Sequence, residues 1–173
     1  MLFSACVVTS RHRPAVALFV AMLVIASDGG LVMAGGGASA ANAPMAHRID
    51  LTSGLPDFAP GYRLSLTEAI VPPGAGFSPH RHPGMQLAYI ESGTLQFTVF
   101  RGRVKVFWGH PGATQKLVRV LRAGHTGSIR TGEWIIETRS LWHRGANVGG
   151  KRVLILLATL LREDKPPAIP ITP

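Results

Sequence analysis

The chain has 173 residues, enough for one domain with a substantial core, and its 46% hydrophobic and 16% charged content excludes wholesale disorder. Twenty glycines and 13 prolines spread along it favour short strands and turns over long helices, and a single cysteine, Cys6, excludes any disulfide within the chain. The formal charge is +9, but the basic residues are scattered and form no basic helix or arm of the kind that grips nucleic acid.

Residues 1–40 read as an address. Arg11, His12 and Arg13 precede the apolar run Ala15 to Ala26, and a glycine- and alanine-rich stretch ends in Ala38-Ser39-Ala40, with small residues where a signal peptidase reads. The run is short for a membrane span, which needs about 20 apolar residues. Asp28, Gly29 and Gly30 also interrupt it. The expectation is a cleaved export signal that delivers a periplasmic or secreted protein; an uncleaved N-terminal membrane anchor is the alternative. Arg11 and Arg13 are not adjacent, so a twin-arginine signal is not supported. Cleavage removes two arginines and one aspartate and lowers the charge by one, to +8, so the basic character belongs to the domain. Export argues against a nucleic-acid partner, while the charge leaves room for an anionic surface contact, which salt would weaken.

Residues 41–59 form an N-terminal extension, with His47 read as free, and the body runs over 60–162 as short alternating runs broken by turns. Arg63 to Val71 alternates polar and apolar residues, as a half-buried strand does. Gln86 to Ile90 and Thr94 to Phe100 are two strands around Glu91-Ser92-Gly93, read as a hairpin turn. Arg101, Arg103 and Lys105 alternate along one expected strand and would line a solvated face. Lys105 to Trp108, Leu117 to Leu121 and Gly127 to Ile129 follow, and Trp134 to Trp142 leads into His143. Val153 to Leu161 suits a buried helix or a buried strand by periodicity, and the surrounding strand rhythm favours a central strand. Residues 163–173 make a proline-rich tail of extended character. Such a succession of short strands and glycine turns points to an all-β sandwich or barrel.

The chemistry concentrates in histidines. His80 and His82 sit two apart, and on a strand such residues face the same side, so both imidazoles can reach one ion. The stretch PGAGFSPHRHPGMQLAYIESG resembles the first cupin motif, G-x5-H-x-H-x3-E-x6-G. It matches at Gly74, His80, His82 and Gly93 and places Gln86 where glutamate is usual. Downstream, Gly132, His143 and Asn147 match the second motif, G-x5-P-x-G-x2-H-x3-N, while Thr138 and Ser140 replace its proline and glycine. The resemblance covers roughly residues 60 to 160. It implies a cupin-type double-stranded β-helix, a jelly-roll barrel, whose two motifs converge on one metal.

By that resemblance His80, His82 and His143 are metal ligands, and Gln86 takes the place of the fourth. Asn147 and the motif glycines would have structural roles. Three neutral imidazoles suit one divalent iron, manganese, nickel, copper or zinc ion and leave coordination positions open. Gln86 can bind through its amide oxygen, more weakly than a carboxylate, or donate a hydrogen bond to bound water or substrate. His110 and His125 lie beside glycines and read as exposed loop residues. Strand parity with His143 points Arg139 inward, where a buried guanidinium needs an anionic partner, so Arg139 is the expected carboxylate-binding residue. Tyr89 or Ala88 should face the cavity, depending on the strand phase after Gly84, and Tyr89 is taken as a second substrate contact.

No G-x-S-x-G elbow, phosphate loop, C-x-x-C pair or helix-turn-helix segment is present. The leading expectation is an exported metal protein acting on or binding a small molecule, of metal-dependent dioxygenase type. A non-catalytic metal or small-ligand module is the second reading, and a metal-dependent isomerase or lyase the third. The resemblance also implies pairing of barrels into a homodimer.

Overall fold

The computed structural model describes residues 44–109 and 114–173. The expected export segment with Cys6, and the loop histidine His110, lie outside the described residues. Strands β1 (His47–Gly54), β2 (Tyr62–Val71), β3 (His80–Arg81) and β4 (Gly84–Ser92) open the domain. They are followed by β5 (Thr94–Arg101), β6 (Arg103–Trp108), β7 (Lys116–Arg122) and β8 (Thr126–Arg130). The last four are β9 (Glu133–Glu137), β10 (Trp142–Ala146), β11 (Val153–Arg162) and β12 (Ile169–Pro170). No helix occurs among the described residues.

The strands form a seven-stranded sheet in the order β1-β2-β11-β4-β9-β6-β7 and a five-stranded sheet in the order β12-β3-β10-β5-β8, with antiparallel pairing in both. This is the jelly-roll barrel that the two motifs implied. Val153 to Leu161 is a strand, between β2 and β4, and its inward side chains Val153, Ile155 and Leu157 enter the core. Each such burial is worth roughly 1.5–3 kcal/mol against exposure.

Rows of inward side chains cross the seven-stranded sheet, and their chemistry changes along the strands. Val71 pairs with Val153, and Ala69 pairs with Ile155, which pairs with Ile90. The next row runs Thr67–Leu157–Ala88–Ile135–Val106. The row after that is Ser65–Thr159–Gln86–Glu137 and is wholly polar. The barrel interior is therefore apolar at one end and hydrogen-bonding at the other.

Three expected local features differ. Glu91-Ser92-Gly93 is not a hairpin turn: β4 pairs with β11 and β9, while β5 pairs with β10 and β8, so the chain turns a corner between sheets. Gly93 makes the corner with φ +84°, where a Cβ would lie 2.9 Å from the carbonyl oxygen of Arg152. Arg101 and Arg103 belong to separate strands across a turn at Gly102, and do not share one strand with Lys105. Trp134 to Trp142 is likewise two strands, split by a turn that the Leu141 N–H to Thr138 carbonyl hydrogen bond (3.0 Å) closes.

Candidate metal centre

His80 lies on the two-residue strand β3, which is held on both sides, and His82 follows it directly. His80 lies opposite His143 of β10 and opposite Pro170 of β12, and Arg81 lies opposite Ile169. Alternation turns His80 and His82 to the same side, as the spacing suggested, and His143 joins them from the neighbouring strand. The ring centroids are 4.8 Å apart for His80–His82, 4.4 Å for His80–His143 and 5.3 Å for His82–His143. All three are buried, and Phe97 stacks on His143 at 4.8 Å.

The second nitrogen of two rings is anchored. His80 Nδ1 lies 2.7 Å from the carbonyl oxygen of Ser78, and His82 Nδ1 lies 2.7 Å from that of Pro167. A carbonyl only accepts, so each Nδ1 carries a proton and each Nε2 is turned into the cavity. Burial lowers the pKa of His80 and brings His143 down to about 4, more than the neighbouring Glu137 can offset. Neutral imidazoles are what a cation requires.

Gln86 also faces this cavity. Its amide nitrogen donates to Glu137 Oε2 at 2.8 Å, and its own Oε1 has no partner among the described residues. Glu137, at the end of β9, is the residue that sequence reasoning missed. Its Oε2 lies 3.0 Å from His82 Nε2 and 3.6 Å from His143 Nε2. Burial would raise its carboxyl, but the histidines around it prevail and hold it at about 2. The odd-number parity that pointed to Arg139 points equally to Glu137.

Arg139 and Tyr89 are not brought to the cavity. Arg139 stands exposed in the turn after β9, because that turn interrupts the strand from which its inward parity with His143 was inferred. It lines an outer cleft with Arg81, Pro83, Arg162 and Lys165. Tyr89 points to the other face of β4, opposite Trp134, while Gln86, Ala88 and Ile90 take the inward phase. The cation at the cavity is Arg48, from β1 in the N-terminal extension. It is half-buried, its guanidinium lies 5.8 Å from the Phe77 ring centroid, and it makes no ion pair among the described residues. Burial lowers its pKa, and Glu137 and Asp50 partly compensate. Asn147 is structural, as expected: its amide nitrogen donates to the carbonyls of Val71 and Lys151, both at 2.8 Å. His125 is exposed, and His47 lies on β1 with its side chain in solvent.

The residues present fit a metal. One candidate ligand atom from each of His80, His82 and His143 lies within 4.8 Å of the others, so the group can hold one ion. The buried His82 Nε2 has no hydrogen-bond partner among the described residues, which suits a lone pair aimed at a cation. The cavity beside them measures about 30 Å³, room for an ion and little else. Arg48 also lines an adjoining polar cleft of about 340 Å³, with Asp50, Ser65, Thr67, Thr159 and Pro167.

No protein-family model matches the sequence. The search of curated proteins found no match. Among solved structures, the chain is similar to a cupin 2 conserved barrel domain protein from Rhodopseudomonas palustris, with 14% identity and a TM-score of 0.49, covering 78% of this chain and 72% of that one. It is similar to a polyketide cyclase from Streptomyces resistomycificus at 20% identity and a TM-score of 0.48, over 74% and 72% of the two chains. A cupin 2 domain-containing protein from Halorhodospira halophila matches at 15% identity and a TM-score of 0.47, over 73% and 70%.

Proposed function

We propose that this is an exported metal protein that takes a small anionic molecule at a three-histidine cation and oxidises it with dioxygen. The observation that carries the metal reading is the convergence of His80, His82 and His143 in a buried pocket, with two rings oriented through their far nitrogens. A divalent ion there would supply Lewis acidity and, if redox-active, a site for dioxygen beside the ligand. Export rests on the Arg11–Ala40 segment.

The cleft beside the ion supports the anionic class. A cavity of about 30 Å³ holds no organic substrate, whereas the adjoining 340 Å³ reaches the range of small-ligand sites. Arg48 is shared by both and makes no direct salt bridge among the described residues, with Glu137 and Asp50 acting on it only at longer range, while Arg63 pairs with Glu163 at 3.1 Å and Arg162 with Asp164 at 2.8 Å. A carboxylate on the ligand would satisfy the Arg48 fork, and the hydroxyls of Ser65 and Thr159 would meet its polar groups. Thr67 is already engaged, donating to Asp50 at 3.0 Å.

Elemental analysis of the purified protein tests the metal, and oxygen uptake by iron-loaded protein with a panel of small carboxylates tests the oxidation. One transition metal per chain and carboxylate-dependent uptake are expected. Binding of carboxylates without uptake would overturn the oxidation and leave a binding module. A chain that takes up no metal would overturn the whole reading.

A further inference from the structure

We propose that Glu137 is the fourth ligand of the cation held by His80, His82 and His143, delivered from β9 in place of an acid at position 86. This rests on the metal reading of the same pocket. The first support is register. Gln86 and Glu137 stand directly opposite each other on adjacent antiparallel strands, and both side chains point into the barrel. An acid moved one strand sideways in this row reaches the same part of the cavity. The Gln86 amide then serves the carboxylate instead of the ion, donating to Glu137 Oε2 at 2.8 Å and orienting it.

The second support is distance. The Pro167 carbonyl holds His82 Nδ1 at 2.7 Å, which turns Nε2 into the cavity. Glu137 Oε2 lies 3.0 Å from that nitrogen. Ligand atoms bound about 2.1 Å from one cation in neighbouring positions lie about 3 Å apart. His143 Nε2, 3.6 Å from the same oxygen, completes one side of such a set.

The third support is the company Glu137 keeps. Glu133, on the same strand and the same face, is bracketed by the Arg119 guanidinium, with hydrogen bonds of 2.7 and 2.6 Å. Glu137 is buried as deeply, but no guanidinium or ammonium among the described residues pairs with it directly, and Arg48 acts on it only at longer range. A buried carboxylate is costly without a counter-charge, and a divalent ion is one.

The test is cobalt and zinc affinity, measured by competition with a chromophoric chelator, for wild type, Glu137→Gln and the exchange variant Gln86→Glu/Glu137→Gln. Glu137→Gln should weaken binding by at least about 10- to 100-fold. The exchange variant should regain most of the loss, because the carboxylate again faces the cation. Wild-type protein loaded with zinc should also show a shifted carboxylate stretch in difference infrared spectra, a readout that survives if a variant does not fold. Affinity of folded Glu137→Gln within twofold of wild type, or no carboxylate shift on loading, would overturn the ligand role and leave the three-histidine site standing. A wild-type chain that binds neither ion would overturn both together.

Discussion

The two ends of the barrel interior are built on the same strands and do opposite things. At one end Val71, Ile90, Ile129 and Val153 fill the space with hydrocarbon. A few residues along, the inward row becomes Thr159, Gln86 and Glu137, facing His80, His82 and His143. The apolar end contributes stability by removing surface from water. The polar end buries hydrogen-bonding groups, three of which, His82 Nε2, Gln86 Oε1 and His143 Nδ1, have no partner among the described residues. Such groups weaken a fold unless something binds them. The contrast separates what the barrel needs in order to fold from what it holds in readiness for a ligand.

That division can be broken by single substitutions. The largest effect on binding is expected for His82→Ala, which should lower zinc affinity by more than about 100-fold in a chelator competition. Near-wild-type affinity would mean that the ring is only packing. At the other end, Ile129→Ala should cost about 2–5 kcal/mol in urea unfolding yet leave the zinc affinity of the folded protein unchanged. A matching loss of affinity would show that the two ends are coupled.

A smaller effect should follow from removing the tail after Asp164. The Pro167 carbonyl that fixes the His82 tautomer, and the β12 contact beside His80, would both go. Zinc affinity should fall by about 10- to 100-fold while far-ultraviolet circular dichroism stays that of a β protein. Unchanged affinity would reduce the tail to a passive strap.

The smallest effect is on pH. His143 is held near 4 in the fold by burial, against about 6.5 for a free imidazole. Between those values the unfolded chain takes up a proton that the fold refuses, so stability declines as pH falls. Glu137, at about 2 against an ordinary 4.5, loses its stabilising contribution as pH falls from that value through 2, so its sign is the same. The melting temperature of chelator-treated protein should therefore drop steadily from pH 6.5 to 2. A flat profile across pH 4 to 6.5 would contradict the burial of neutral His143.

Much of this was legible in the sequence, for reasons that also explain what was not. The i, i+2 spacing of His80 and His82 survives folding because parity is local, and His143 was placed by the motif. The alternation of Arg63 to Val71 and the apolar run at Val153 likewise gave strands. Parity fails across a turn, and Arg139 was lost for that reason: Thr138 to Leu141 break the count back from His143. Tyr89 fell on the outer face because Gly84 sets the phase of β4, and a Cβ there would collide with the Leu160 carbonyl. Glu137 and Arg48 come from other strands, and only the register across the sheet brings them to the histidines. The tail was read as extended, and its Pro167 carbonyl reaches His82 from 85 residues away, which no local pattern reports.

The shared cation is tested most directly by X-ray absorption at the metal edge of the purified, metal-loaded protein, which counts imidazole ligands from their outer-shell scattering. Three imidazoles around one ion are expected for wild type and two for His143→Ala. A wild-type spectrum fitted by fewer than three imidazoles, or one unchanged by the loss of His143, would contradict a centre built from these three rings.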